Sequence, residues 1–404
     1  MSRNQTSSLA LAVLALSALV AAVSDEPPPR YDASALLPSS VVKGPHYVVN
    51  DAVETEGYFH VFALTSDFGP FTAVGHTVLT QRVDEIRAIA ALHEVSKSEV
   101  FLKSAGGAVV DLGKGVAGVV TRPTETAKGV AGGIKRFGVN LGRASKRAVS
   151  REGGADTGES APEGAANTLL GVSSAMREWA RKVKADPYTT NLVLRDALKG
   201  IAQVDTAGSI ATKIAVPVPS VVGTTATVGD LVWSKDPEAL RKHNEDLLKA
   251  MGVSADAASR FWKNGWFTLT LQTRLVAALH AVNRPGCAAY LVAATHADDE
   301  REALFYVESA EMLQRLHAAS PVTRLLDDSQ AIVAAVGPKA VLLAPVDDIR
   351  STAATREIFV EVADRARTEL RASAFELRTT GVVSPRARDE AGAAGWTVVN
   401  QGSR

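Results

Sequence analysis

The apolar residues of this 404-residue chain change their spacing several times along its length, and each change restricts the fold. Near the start, "YFHVFALT" and "FTAVGHTVL" flank the turn-type cluster "SDFGP" and read as two strands. "RVDEIRAIAALHEV" then takes up helical spacing, with Val83, Ile86, Ala90 and His93 on one stripe. Residues 46–105 are thus expected to form a β-β-α unit. Residues 166–325 read mostly as amphipathic helices, among them "SSAMREWARKV", "DPEALRKHNEDLLKAMGVS", "LQTRLVAALHAV" and "EREALFYVESAEMLQRLHAA". "DPYTTNLVLRDALKGIAQV" begins another, with Asp or Thr as its cap. "IATKIAVPVPSVVGTTATVGDLVW" is apolar but broken by Pro217, Pro219, Gly223 and Gly229, which predicts a buried loop or hairpin.

From residue 326 to 404 the period changes again. "AIVAAV" and "AVLLAPV" read as strands, "TREIFVEVADRARTEL" as a helix and "AFELRTTG" as a strand. "SPRARDEAGAAG" is a Ser-capped helix with Pro at its first position, and "WTVVN" closes as a strand. The expected class is α+β: an N-terminal β-hairpin plus helix, a central mostly helical region and a C-terminal small α/β sheet.

Between these units, residues 106–165 form a basic Gly-rich amphipathic segment followed by a flexible linker. Lys-Gly-Val-Ala-Gly occurs at 114–118 and again at 128–132. The whole chain is neutral, with 44 basic and 44 acidic residues, so the global charge gives no support for nucleic-acid binding. Yet residues 112–151 carry nine Lys or Arg against the single acid Glu125. On a helical wheel Val130, Ile134, Phe137, Leu141 and Ala148 make one stripe. Lys128, Lys135, Arg136, Arg143, Lys146 and Arg147 supply the charge expected to meet an anionic surface. Each Gly weakens such a helix by about 0.5–1 kcal/mol against Ala, so the segment needs a partner surface to order. That partner is an anionic membrane surface or a protein face.

The N-terminus, "MSRNQTSSLALAVLALSALVAAVSDEPPPR", has a basic start, an apolar run from Leu9 to Val20 and a small-residue position at Ala22 or Ser24. Residues 1–24 therefore read as a signal peptide and 25–45 as a Pro-rich linker. The expected location is exported, in the periplasm or cell envelope. The single cysteine, Cys287, lies far from the cleavage position, which argues against a lipid anchor, and in "RPGCAAYL" it looks like a small core residue.

Catalytic signatures are absent. There is no G-x-S-x-G elbow and no H-E-x-x-H, and no Gly-rich phosphate loop follows a strand. Two weak candidates remain. If "SDFGP" is a five-residue hairpin loop, Thr65 faces Phe71 and His60 sits opposite His76, where two imidazoles are able to hold zinc. Asp347 and Asp348 follow "AVLLAPV", at the carboxyl end of a strand, where open α/β sheets keep ligand sites. His280, His296, Glu311 and His317 match no metal spacing. The doublets Asp298-Asp299 and Asp327-Asp328 read as helix caps. Asp186, Tyr188 and Asn191 form a polar cluster at a helix start, read as capping with anion binding as the alternative.

"DPYTTN", "AMGVS…FWKNGWFTLTLQTRLVAAL" and "EALFYVESAEML" resemble segments of an uncharacterised family of exported bacterial proteins. The resemblance covers the middle region and implies export without implying an activity or cofactor. The leading expectation is an exported, envelope-associated protein that acts by binding, with peripheral membrane contact through the basic segment. The alternatives are a periplasmic hydrolase, with or without zinc, and a helical scaffold for another envelope protein.

Overall fold

The structure is a computed structural model that describes residues 24–105, 172–205, 210, 226–327, 329 and 331–401. The segment to residue 23, expected to be a signal peptide, and the basic segment, including Lys128, Lys135, Arg136, Phe137, Arg143, Lys146 and Arg147, lie outside the described residues. The class is α+β, with an N-terminal antiparallel sheet, a helical middle and a small C-terminal sheet.

The N-terminal sheet contains β1 (Arg30–Asp32), β2 (Lys43–Gly44), β3 (Tyr47–Val49), β4 (Ala52–Glu56), β5 (Phe59–Ser66) and β6 (Gly69–Val74). Its order is β1-β4-β5-β3-β2, and β6 also pairs with β5. The β5–β6 hairpin is tighter than the sequence suggested. Ser66 faces Gly69, whose φ of 111° suits glycine, so only Asp67 and Phe68 form the loop. Leu64, not Thr65, therefore faces Phe71, and the whole register moves by one residue. His76 falls beyond the ladder, at the first position of a helix.

Residues 25–45 do not behave as a tether. They hold β1, β2 and two short helices, α1 (Ala33–Leu36) and α2 (Ser39–Val42). Ala33 is fully buried, and the Glu26 carboxylate accepts hydrogen bonds from Ser351 N and Ser384 Oγ, both at 2.6 Å. Prolines here are compatible with short pieces that dock through side chains instead of long ladders.

The long helix α3 (His76–Lys97) follows the sheet and runs into α4 (Glu99–Ser104). After the undescribed segment come α5 (Ser174–Lys182), α6 (Leu192–Val204), α7 (Ala226–Ser234) and α8 (Pro237–Ala250). They are followed by α9 (Ala255–Lys263), α10 (Leu269–Val282), α11 (Cys287–Ala294) and α12 (Glu300–Ala319). Side-chain caps explain many of the starts: Ser173, Asp236, Ser254, Thr268 and Asp299 each accept a backbone N–H from the first turn. The cap of α6 is Asn191, which accepts from Val193 N and Leu194 N, so neither Asp186 nor a Thr fills that role. The end of the Pro- and Gly-broken apolar stretch is helical, as α7, where a loop or hairpin was expected. No helix among the described residues is long and apolar enough to cross a membrane.

The C-terminal sheet runs β13-β11-β9-β8-β7. It is built from β7 (Arg324–Leu325), β8 (Ile332–Val336), β9 (Lys339–Ala344), β11 (Ala374–Thr379) and β13 (Trp396–Asn400). β9, β11 and β13 are parallel, joined through α13 (Ala353–Glu369) and α14 (Pro385–Ala393), while β7 and β8 pair antiparallel. A small parallel pair, β10 (Asp348–Ile349) with β12 (Val382–Val383), stands beside it.

Both faces of this sheet are covered, which explains why "AIVAAV" and "AVLLAPV" are continuous apolar runs. Ile332, Ala334, Val341 and Leu343 enter a core shared with α3, α10, α12 and the N-terminal sheet. Val333, Ala340 and Leu342 point the other way, to Phe359, Ala363 and Trp396. The helical region thus supplies one layer over the C-terminal sheet, and β7, ahead of residue 326, already belongs to that sheet.

Candidate functional site

The two weak candidates of the sequence, His60/His76 and Asp347/Asp348, meet at one place. Gly75 has a φ of 89° and ends β6 by donating its N–H to the His60 carbonyl at 2.8 Å. A glycine offers α3 no side-chain cap. Asp347 supplies one from 271 residues away, accepting the His76 N–H at 3.4 Å, the His60 N–H at 3.0 Å and His76 Nδ1 at 3.0 Å. Burial alone raises the Asp347 carboxyl; the His76 hydrogen bond and the His60 N–H outweigh it and hold it below the usual carboxylate range. The His60 and His76 rings lie edge to face with centroids 5.4 Å apart, so the predicted neighbours do meet, through a strand-to-helix corner and not a cross-strand pair.

Asp348 points away from Asp347. Its carboxylate accepts from Arg350 Nε at 2.6 Å, Arg350 Nη2 at 2.9 Å and the Tyr31 hydroxyl at 2.8 Å. The expected ligand crevice at the end of β9 is closed by the N-terminal sheet. Asp347 N and Asp348 N both donate to the Tyr58 carbonyl, and a Cβ on Gly381 would sit 2.1 Å from the Asp347 carbonyl oxygen. The hydroxyls nearby are also committed: Thr55 Oγ1 lies 3.0 Å from His60 Nδ1, and Tyr31 is held by Asp348. His60 is 1% exposed, and burial pushes its pKa down. This arrangement clasps the N-terminal and C-terminal sheets together. Among the described residues no three His, Cys, Asp or Glu side chains are disposed to hold a metal, so nothing here supports zinc.

A second place combines space with charge. A cavity of about 120 Å³ lies between α3, the segment before α6, α7, α10 and α12. Behind its wall Arg82 donates to Glu85 Oε2 at 2.6 Å and to Glu300 Oε2 at 2.9 Å. Thr189 and Asn191 also donate to Glu85, at 2.6 and 2.8 Å, and Thr190 donates to Glu300 at 2.6 Å. "DPYTTN" is therefore the strand of chain that closes this network. Arg274, on the opposite side, forms a two-point pair with Glu311 at 2.9 and 3.0 Å.

Asp186 has no such partner. Its Oδ1 accepts from Thr270 Oγ1 at 2.6 Å and from Tyr188 N at 2.9 Å. Burial, reinforced by the Glu85 charge, outweighs these bonds and the Arg274 charge and raises its carboxyl to about 6. Asp84, also on the wall, pairs with Arg87 through Oδ1 at 2.9 Å, while its Oδ2 is buried with no hydrogen-bond partner. The anion reading of this segment fails on that chemistry, because Asp84, Glu85, Asp186 and Glu300 all line the cavity.

Arg82 and Glu85 escaped the sequence reading. The signal was present: on α3 they occupy the stripe of Val78, Ile89 and Leu92, all buried, where surface charge has no place. Other candidates disperse. Glu311 belongs to Arg274, His317 Nδ1 accepts from Val322 N at 3.0 Å, and Asp299 caps α12. Cys287 is buried in the core, and burial raises its thiol. No family model, curated protein or solved structure matches the chain.

Proposed function

We propose that the chain is an exported envelope protein that acts by binding, and that the cavity between α3, α7, α10 and α12 takes up a small polar solute. One observation carries this reading: a cleft whose wall keeps a carboxyl, Asp186, titrating near 6 with no cation hydrogen-bonded to it among the described residues. The ionised group disfavours the fold above pH 6, and strongly shifted groups in a cavity are candidates for functional sites. The volume is close to that of cavities of about 150 Å³ that hold benzene, so the solute has about six non-hydrogen atoms.

Thermal unfolding with isopentylamine, isopentanol and isovalerate, a near-isosteric cation, neutral and anion, tests the reading. At least one is expected to raise the melting temperature in a concentration-dependent way. Thr77 is exposed and lines the cavity, so Thr77→Trp is expected to abolish the shift without lowering the melting temperature of the free protein. Three probes without effect would remove the reading.

Contact with an anionic surface through residues 112–151 is a second, separate proposal. Its support is the charge of that segment, nine basic residues against one acid in a neutral chain. The mature protein is expected to float with phosphatidylglycerol vesicles at low salt. Changing Lys135, Arg136, Lys146 and Arg147 to Ala is expected to release it. Flotation unaffected by the four changes would sink the proposal.

A further inference from the structure

Resting on the cavity as a binding site, we propose that its solute is an organic cation, a primary ammonium or an amidinium, whose charged head sits on the Asp186 carboxylate. The argument begins with hydrogen-bond supply. Several donors around the cavity are already spent inside the protein. Thr189, Thr190 and Thr270 give their hydroxyl protons to Glu85, Glu300 and Asp186. Trp233 gives its indole N–H to the Ala185 carbonyl at 2.9 Å, and so offers the cavity carbon surface only. Acceptors stand beside them: the second oxygen of Asp186 and the hydroxyl lone pairs. A solute that carries donors finds these acceptors waiting.

Charge gives the same answer independently. Around the cavity five carboxylates, Asp84, Glu85, Asp186, Glu300 and Glu311, share three guanidinium groups, Arg82, Arg87 and Arg274. Lys184, the remaining cation on the lining, is exposed at the rim. A proton on Asp186 covers part of the deficit while the cavity is empty. A bound ammonium replaces that proton, and Trp233 adds an aromatic wall of the kind cations favour. Uptake of the cation is therefore coupled to release of a proton from Asp186, and affinity rises with pH through the Asp186 titration.

Titration calorimetry with the same three probes separates this inference from the cavity reading. Isopentylamine is expected to bind at least tenfold more tightly than isopentanol at pH 7.5, and isovalerate not at all. At pH 6, amine binding in buffers of different ionisation enthalpy is expected to show proton release in the wild type and none in Asp186→Asn. The variant is expected to lose at least tenfold in amine affinity while unfolding no earlier than the wild type. Asp84→Asn serves as a second variant, with a smaller loss expected. Isopentanol or isovalerate binding as tightly as the amine overturns the cation inference and leaves the cavity reading standing. Amine binding with no proton exchange, or unchanged by Asp186→Asn, overturns the role of Asp186. No binding by any probe overturns both.

Discussion

At pH 8 the Asp186→Asn protein is expected to be more stable than the wild type by about 1–3 kcal/mol, and at pH 4 the two are expected to coincide. The folded carboxyl titrates near 6, above its ordinary value of 3.8. The folded state therefore holds its proton more tightly than the unfolded state. The sign follows from that: the wild type is favoured below about pH 4, and loses stability as pH rises through 6. Two units at 1.36 kcal/mol each set an upper bound of about 3 kcal/mol. Asparagine keeps the Oδ1 that accepts from Thr270 and Tyr188 N, and it never ionises. Urea unfolding of both proteins at the two pH values is the measurement. A gap of equal size at both would show that Asp186 is not the raised carboxyl. Stabilisation on removing a buried charge is what a site retained for binding predicts, since such sites hold groups the fold alone disfavours.

The opposite result is expected for Glu85, 4% exposed and paired with Arg82, itself 8% exposed. Glu85→Ala is expected to cost about 3–5 kcal/mol, because it strands a buried guanidinium along with the Thr189 and Asn191 donors. Replacing both partners, as Arg82→Met with Glu85→Leu, is expected to cost much less than Glu85→Ala, since no buried charge is orphaned. Burial raises the Glu85 carboxyl, but Arg82 and its hydrogen-bond donors override burial and hold it below its ordinary 4.5. Its contribution is therefore present above about pH 4.5 and is lost as pH falls through the folded value. Denaturant unfolding of the two variants decides. A single-variant loss no larger than that of the double replacement would mean that the network carries no coupling.

These two acids were unequally visible in the sequence. Asp186 belonged to a conspicuous polar cluster, but Asp before Pro near a helix start reads as a cap. Only the neighbouring Asn191 fills that position in the structure. Glu85 stood on an apolar stripe of α3, but the partners that α6 and α12 bring to it and to Arg82 lie more than a hundred residues away in the chain. The hairpin shows a related limit. A turn cluster marks where a chain reverses, but loop lengths differing by a residue or two keep similar composition, so the His60 register slipped by one. Asp347 caps α3 from another sheet, and nothing near either residue encodes that contact.

What the sequence determined by itself was local. Apolar spacing and caps within a few residues placed α8 behind Asp236, α12 over Glu300–Ala319 and α14 behind Ser384, because N–H groups at a helix start are satisfied by neighbours in the chain. The α+β class followed from the same periods. The tertiary structure alone decided which charges lost their water. Ionisable groups change character when distant elements pack around them, and a carboxylate at residue 186 meets threonine 270 and the field of glutamate 85 only after the core has closed.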